Sequence, residues 1–181
     1  MKNFLVQFTK ADRILWLSSV SLVILFFLIF DRVGFLTLVA SLIGVTSLIF
    51  NAKGNPFGQL LMVIFSLLYG IISYTFSYYG EMITYLGMTM PMAVCALISW
   101  LRNPYQGNKA EVEVNVLSAG ERVLMWILTG VVTLVFYFIL DVFHTANMLP
   151  STLSITTTFL GVYLTWRRSP FFALADACND I

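Results

Sequence analysis

Charged residues are scarce in this chain. Lys, Arg, Asp and Glu make up 10% of its 181 residues and hydrophobic residues make up 59%, whereas ordinary globular domains hold about 25% charged and about 45 to 50% apolar residues. There is too little polar surface to cover a water-soluble fold, so the composition predicts an integral membrane protein. The net charge of +1 and the lack of a run rich in Lys and Arg exclude a nucleic-acid-binding face.

Residues that bind metals or act in catalysis are also few. His144 is the only histidine, and Cys95 and Cys178 lie far apart in apolar segments. The sequence holds no G-x-x-x-x-G-K-[ST] phosphate loop and no H-E-x-x-H pair, which argues against a P-loop ATPase and a zinc protease. We therefore expect no cofactor, no metal site and no enzymatic activity, and we place His144 in a solvated outer loop.

Long apolar runs occupy most of the chain. Each is long enough to cross a hydrocarbon layer of roughly 30 Å as a helix, and backbone groups in lipid must bond within the segment because no water is available. Gly, Pro, Asn and charged residues separate the runs. The sequence therefore predicts an all-α polytopic bundle, with spans at residues 14–30, 33–50, 57–79, 82–101, 123–140 and 149–166.

A seventh apolar segment begins at Phe171 and reaches only Ile181. A helix over residues 171–181 rises roughly 16 Å, about half of the hydrocarbon thickness. We expect this segment to be the start of a truncated span.

The cations predict the orientation of the bundle. With a cytoplasmic N-terminus, only Arg32 falls on the outside, and a cytoplasmic excess of Lys and Arg is the rule for membrane proteins. The sequence thus predicts a multi-pass protein of the inner membrane. The inside positions are Lys2, Lys10, Arg13, Lys53, Arg102, Lys109, Arg122, Arg167 and Arg168.

Residues 103–122 are the one stretch of soluble character, and we predict a cytoplasmic linker between two halves. The alternation over residues 111–116 is compatible with a short strand, but a strand without a partner is marginal, so an ordered loop is favoured. Ser118 and Glu121 have the spacing of a capping box at the start of the fifth span.

The complete spans carry no Lys, Arg, Asp or Glu near mid-membrane. Ion-coupled carriers usually place a carboxylate there for the coupling ion. Passive movement of an uncharged or weakly charged solute is therefore favoured, with Asp176 and Asp180 in the truncated segment as the exceptions.

Neutral polar and aromatic side chains in the spans are candidates for lining a solute path. Tyr69 and Ser73 are four residues apart, as are Tyr85 and Thr89, so each pair shares a face of an α-helix. A ring beside a hydroxyl suits a solute with a flat ring and hydroxyl groups. The Ser- and Thr-rich sixth span adds Thr156. The alternative is that these hydroxyls bond to helix carbonyls or neighbouring helices.

Structural roles explain other span residues better. Aromatic residues near span ends predict an interfacial belt, and Pro91 predicts a helix irregularity. The glycines of segment 54–58 match G-x-x-x-G formally but flank a proline turn. The belt residues are Trp100, Trp166, Tyr78 and Tyr79.

Several short motifs, taken in order, resemble PnuC-type nicotinamide riboside transporters. They extend from about Ile14 over nearly the whole chain. The motifs are KGNPFG at 53–58, YGIISY at 69–74, SYYGE at 77–81, MTMP at 88–91, WLRNP at 100–104, LPSTLS at 149–154, Arg167 with Arg168, and Asn179 with Asp180.

The resemblance implies two parallel three-helix repeats joined by one connecting helix. Residues 14–30 would be an extra N-terminal helix, and residues 123–140 the connector. The second repeat, from Leu149, would need two more crossings than this chain holds. In the family motif W-x-x-W-x-x-x-N, Asn179 matches the final position, while Phe172 and Ala175 stand where tryptophans would be, so Phe172 and Asn179 are implied site residues.

The function implied is uptake of nicotinamide riboside by facilitated diffusion, with trapping by cytoplasmic phosphorylation. Thiamine, riboflavin or a deoxynucleoside are alternative solutes, and a non-transporting membrane scaffold is the alternative function. The expected partners are the small-molecule solute and the lipid bilayer, and a homo-oligomer is left open.

Overall fold

The computed structural model describes residues 8–30, 34–143 and 148–179, and it is almost entirely helical. His144, Asp180 and Val33 lie outside the described residues. The helices are α1 Lys10–Phe30, α2 Phe35–Ala52, α3 Pro56–Thr75, α4 Tyr79–Ile83, α5 Met90–Arg102, α6 Ala119–Val142, α7 Met148–Trp166 and α8 Phe172–Asn179, and a π-helix, Thr84–Thr89, joins α4 to α5.

Five helical units are long and apolar enough to cross a membrane: α1, α2, α3, the unit Tyr79–Arg102 and α6. Helix α1 buries none of its residues, so its apolar side chains face outward on every side not covered by α2. Helix α7 has 19 residues, but its many Ser and Thr residues make it less apolar. The six long segments thus build a polytopic helical bundle whose solvent is lipid.

The linker forms a β-hairpin instead of the predicted ordered loop. Strand β1, Pro104–Tyr105, pairs antiparallel with β2, Asn108–Val112. Gln106 and Gly107 connect them with φ values of 47° and 77°, and two consecutive residues with positive φ form the tight turn that a two-residue hairpin needs. The prediction was wrong for residues 111–112, because a strand partner lies immediately upstream in the chain, whereas residues 113–116 belong to no strand.

The predicted capping box at α6 is confirmed. Glu121 N–H donates to Ser118 Oγ over 3.3 Å, and Ser118 N–H donates to Glu121 Oε2 over 2.8 Å. These two bonds satisfy backbone donors that the helix start leaves free, and they fix where the linker ends.

Basic side chains lie at one end of the bundle, which we name the linker end. There α2 turns into α3, α7 turns into α8, and α1 and α6 begin. Glu81 and Asp141 lie at the opposite end. Within the described ranges, all Lys and Arg residues are at the linker end: Lys10, Arg13, Lys53, Arg102, Lys109, Arg122, Arg167 and Arg168.

Trp100 was predicted to lie in the interfacial belt, and this prediction was wrong. Its side chain is 2% exposed, and its Nε1–H donates to the Thr165 carbonyl of α7 over 2.8 Å. The indole therefore ties α5 to α7, because a buried Trp N–H needs an acceptor. The main apolar cluster lies beside this contact, between α6, α7 and the π-helix, and contains Met88, Met125, Phe136, Leu140, Ile155, Phe159, Tyr163 and Leu164.

Helices α2 and α3 approach each other closely. Gln59 Nε2 donates to Asn51 Oδ1 over 3.0 Å, and both side chains are buried. A Cβ at Gly58 would collide with the Asn51 side chain and backbone, so glycine permits this packing. Gly54 has φ of 65° in the turn, a conformation that glycine adopts without strain.

Candidate functional site

The π-helix sets the geometry of the predicted solute path. Met90 N–H bonds to the Tyr85 carbonyl, five residues back, in place of the carbonyl four residues back. Pro91 follows directly and has no N–H to donate. The irregularity predicted at Pro91 therefore takes the form of a π-helix, a feature frequent at functional sites.

Three aromatic rings pack together beside this π-helix. The centroids of Tyr69 and Tyr85 lie 4.6 Å apart with a 45° angle between the planes. Phe65 contacts both, at 5.4 Å from Tyr69 and 6.0 Å from Tyr85. Rings at these distances are in direct contact, so a planar solute has no room between them and must stack on an outer face of the cluster.

Ser73 lies one helical turn beyond Tyr69 and is 1% exposed. Its Oγ donates to Glu81 Oε2 across 3.4 Å. Glu81 is exposed near the start of α4, so the pair lies toward the end of the bundle opposite the linker. The structure thus brings Tyr69, Ser73 and Tyr85 together and adds a carboxylate to them.

Thr89 is the last residue of the π-helix, near the middle of the 24-residue unit Tyr79–Arg102. Its side chain is 6% exposed, and its Oγ1 is buried with no hydrogen-bond partner in the described structure. A hydroxyl in this state costs about 1 to 3 kcal/mol relative to a satisfied one. A solute hydroxyl or amide beside Thr89 would remove that cost.

Thr156 lies apart from these residues, on α7. Its hydroxyl is 2.9 Å from that of Thr133 on α6 and donates to the Thr152 carbonyl over 2.8 Å. Its hydrogen-bonding capacity is thus largely used within the protein, in the helix-to-helix role that was the alternative explanation.

Phe172 is the first residue of α8 and lines a cavity of about 330 Å³ at the linker end. Lys53 and Arg168 line the same cavity. Desolvation lowers the pKa of the Arg168 guanidinium, while the charge of Glu113 raises it. Asn179 ends α8, but its side chain lies outside what the structure describes. Phe172 is therefore in a second region, separate from the aromatic cluster.

Sequence reasoning missed two residues of the first region, Phe65 and Glu81. Phe65 stands four residues before Tyr69, so the same helical spacing that selected Ser73 identifies it. Glu81 lies eight residues beyond Ser73 along the chain, past a helix break, and only the fold brings them together.

The chemistry available at the aromatic cluster is recognition. Among the residues described, no group of three or more His, Cys, Asp or Glu side chains is placed to hold a metal ion. The cluster offers ring faces and two phenol groups, Glu81 adds a peripheral carboxylate, and the buried hydroxyl of Thr89 lies four residues beyond Tyr85 on the π-helix. Such a set suits a neutral or cationic aromatic solute with hydroxyl groups.

Comparisons with known proteins agree with this description. A family model described as nicotinamide mononucleotide transporter matches residues 34–174. The nicotinamide riboside transporter PnuC of Neisseria mucosa (strain ATCC 25996 / DSM 4631 / NCTC 10774 / M26) is 31% identical over 100 residues, which are 55% of this chain and 38% of that protein. The aligned part is thus well under half of this relative's length.

A solved structure supports the fold. The crystal structure of the vitamin B3 transporter PnuC superposes with a TM-score of 0.77 and 22% sequence identity, over 96% of this chain and 74% of that one. At this identity the match establishes the helical architecture.

Proposed function

Because the chain belongs to the nicotinamide mononucleotide transporter family, we propose that it carries nicotinamide riboside, or a related vitamin-like nucleoside, across a membrane. The observation that carries this proposal is the arrangement around the π-helix. The ring of Tyr85, which contacts that of Tyr69, and the unpartnered hydroxyl of Thr89 belong to the same π-helix, four residues apart. A nucleoside presents a flat ring and ribose hydroxyls, which match these groups.

Transport by this chain is facilitated diffusion. The described spans hold no charged side chain near mid-membrane, since Glu81 and Asp141 lie toward helix ends. Asp176 lies on α8, close to Gly161 of α7. Without a mid-membrane carboxylate there is no obvious group to couple flux to protons or sodium, so the solute gradient drives net movement, and cytoplasmic phosphorylation of the solute keeps the flux inward.

The linker end faces the cytoplasm of the inner membrane in this proposal. All described Lys and Arg residues lie at that end, and cytoplasmic loops carry the excess of cations in membrane proteins. The N-terminus lies on the same side because α1 begins there.

Reconstitution into liposomes tests the proposal. The purified protein, with any further segment its gene encodes, should exchange radiolabelled nicotinamide riboside across the bilayer with no ion gradient. It should accumulate the solute above the external concentration only when a riboside kinase and ATP are enclosed. Accumulation driven by a proton gradient, and lost in Asp176→Asn, would contradict facilitated diffusion.

Competition defines the solute. Unlabelled nicotinamide riboside should compete with the labelled solute more strongly than thiamine, riboflavin or a deoxynucleoside does. Stronger competition by one of these would reassign the cargo, and no exchange of any of them would favour a non-transporting role.

A further inference from the structure

The turn between α2 and α3 and the turn between α7 and α8 have the same backbone hydrogen bonds. In the first, Asn55 N–H donates to the Phe50 carbonyl over 2.9 Å, and Gly54 N–H donates to Asn51 over 2.9 Å. In the second, the matching donors are Ser169, to Leu164 over 2.9 Å, and Arg168, to Thr165 over 3.0 Å. In each turn, one N–H donates to the carbonyl five residues earlier and the other to the carbonyl three residues earlier. Together the two bonds close the end of the preceding helix.

Side chains and dihedral angles extend the match between the two turns. Residues 53–57 read Lys-Gly-Asn-Pro-Phe and residues 167–171 read Arg-Arg-Ser-Pro-Phe. Gly54 and Arg168 have φ of 65° and 59°. The buried side chains of Asn55 and Ser169 accept from the N–H two residues later, over 2.8 Å and 3.4 Å. The two turns are therefore equivalent parts of the two halves.

The helices that precede the two halves, α1 and α6, are also equivalent in their contacts. Lys53 pairs with Asp12 of α1 over 2.7 Å, and Arg167 pairs with Glu121 of α6. Asp12 caps its helix start with Thr9, as Glu121 does with Ser118. Helices α1 and α6 thus have matching positions, each held by an ion pair to the basic residue of its own half's turn.

The linker donates a hydrogen bond to the backbone carbonyl at the equivalent position of each turn. Val112 N–H donates to the Gly54 carbonyl over 2.9 Å, and Asn115 N–H donates to the Arg168 carbonyl over 3.0 Å. On the second side Asn115 Nδ2 also donates to the Arg167 carbonyl over 3.2 Å, and Arg168 Nη1 donates to the Glu113 carbonyl over 3.1 Å. The four residues 112–115 therefore span the two halves.

The bridging segment covers the cavity of about 330 Å³ at the linker end. Residues of both turns, Trp100 and the linker residues Val112 and Val114 line this space. It lies between the two halves, at the end of the bundle that the proposed orientation places in the cytoplasm.

We propose that residues 112–115 are a latch that closes the cytoplasmic end of the solute path by holding the two equivalent turns together. Release of the Asn115 contacts would leave the second turn joined to the linker through the Arg168 side chain alone, while Val112 stays attached to the first turn. We expect opening at the second turn, because the first turn is bound through a strand of the hairpin, whereas the second is bound through Asn115 and one exposed Arg168 side-chain bond.

Accessibility of a buried reporter tests the latch. Ser169 lines the cavity and is 2% exposed, so Ser169→Cys, with Cys95 and Cys178 replaced by alanine, reports opening through its rate of reaction with a maleimide. Asn115→Pro removes both the backbone and the side-chain donor, and we expect the labelling rate to rise about tenfold or more, as the loss of two hydrogen bonds implies. Asn115→Ala keeps the backbone donor and should give a smaller rise of about threefold.

Val116→Pro is the matched control. Val116 is 83% exposed and takes no part in the contacts of the two turns, so its labelling rate should equal that of the parent. A parent-like rate in Asn115→Pro, or an equal rise in Val116→Pro, would overturn the latch. If Asn115→Pro does not fold, Asn115→Ala decides, and a parent-like rate there has the same meaning.

The latch rests on the proposed transport function for its biological meaning. The labelling experiment needs no solute, however. A failure of exchange in liposomes therefore tells against the transport proposal, whereas a failure of the labelling series tells against the latch alone.

Discussion

Thr89 carries a buried hydroxyl that no other described group bonds, so its replacement by valine separates stability from binding. Thr89→Val keeps the shape and removes the unsatisfied group. We expect the melting temperature in detergent to stay equal or rise. Affinity for the solute should fall about 3- to 10-fold through loss of one hydrogen bond.

Thr129→Val is the control for this comparison. Thr129 is 3% exposed, and its hydroxyl donates to the Met125 carbonyl over 2.8 Å. Its replacement should leave solute affinity unchanged and should not raise the melting temperature. If Thr89→Val binds the solute as tightly as the parent does, Thr89 is a packing residue.

Tyr85 should contribute more to binding than Tyr79. Tyr85→Ala removes a ring of the aromatic cluster and a phenol group, so we expect solute affinity to fall about tenfold or more, as for a loss of roughly 1 to 3 kcal/mol. Tyr79 is 39% exposed, and its ring packs against those of Tyr74 and Phe143, outside the aromatic cluster. Binding measured by calorimetry should change little in Tyr79→Ala, and equal losses in the two variants would contradict a site at Tyr85.

The sequence was sufficient to place Tyr69 and Ser73 on one face of α3, because regular helical spacing does so, but it did not show that Tyr85 would contact Tyr69. It was insufficient for Thr89, whose position relative to Tyr85 is set by the π-helix rather than by α-helical spacing. It also gave no sign that Thr156 would meet Thr133. Contacts between helices depend on packing, which residue spacing within one helix does not encode.

At the scale of the helices, Gly58 of α3 and Gly130 of α6 have contrasting surroundings, since Gly58 is buried and Gly130 is exposed. A Cβ at Gly58 would lie 2.7 Å from the Asn51 backbone nitrogen, whereas one at Gly130 meets nothing within 4 Å. Gly58→Ala should therefore lower stability by about 1 to 3 kcal/mol through overpacking. Gly130→Ala should be neutral or stabilising by up to about 1 kcal/mol, because alanine is the better helix former.

Thermal unfolding of the two glycine variants in the same detergent provides the measurement. The expected order of melting temperatures is Gly130→Ala, parent, Gly58→Ala. Equal melting temperatures in the two variants would mean that α2 and α3 separate enough to admit a methyl group.

The helices themselves follow from apolar length, which is the strongest signal in the sequence. The hairpin at residues 104–112 was missed although Gln106 and Gly107 form a tight turn, because the first strand has only two residues. Trp100 was misplaced for a different reason. Its position near a span end is typical of the interfacial belt, and only the packing of α5 on α7 reveals the carbonyl of Thr165 as its acceptor.

For the whole molecule, the concentration of cations at the linker end predicts a cytoplasmic hairpin. Lys109 is exposed on β2, so Lys109→Cys, with Cys95 and Cys178 replaced by alanine, presents an accessible thiol. It should resist a membrane-impermeant maleimide in intact cells and react after permeabilisation. Rapid labelling of intact cells would invert the proposed orientation.

The contacts of residues 112–115 also set an order for biogenesis. Val112 is synthesised before α7. The first half of the chain can therefore form the bond between Val112 and Gly54 before the second half exists. Asn115, by contrast, has no acceptor until Arg168 has left the ribosome. Until α7 and its following turn are made, the Asn115 donors therefore have no acceptor in the second half, and an error in inserting α7 leaves them exposed.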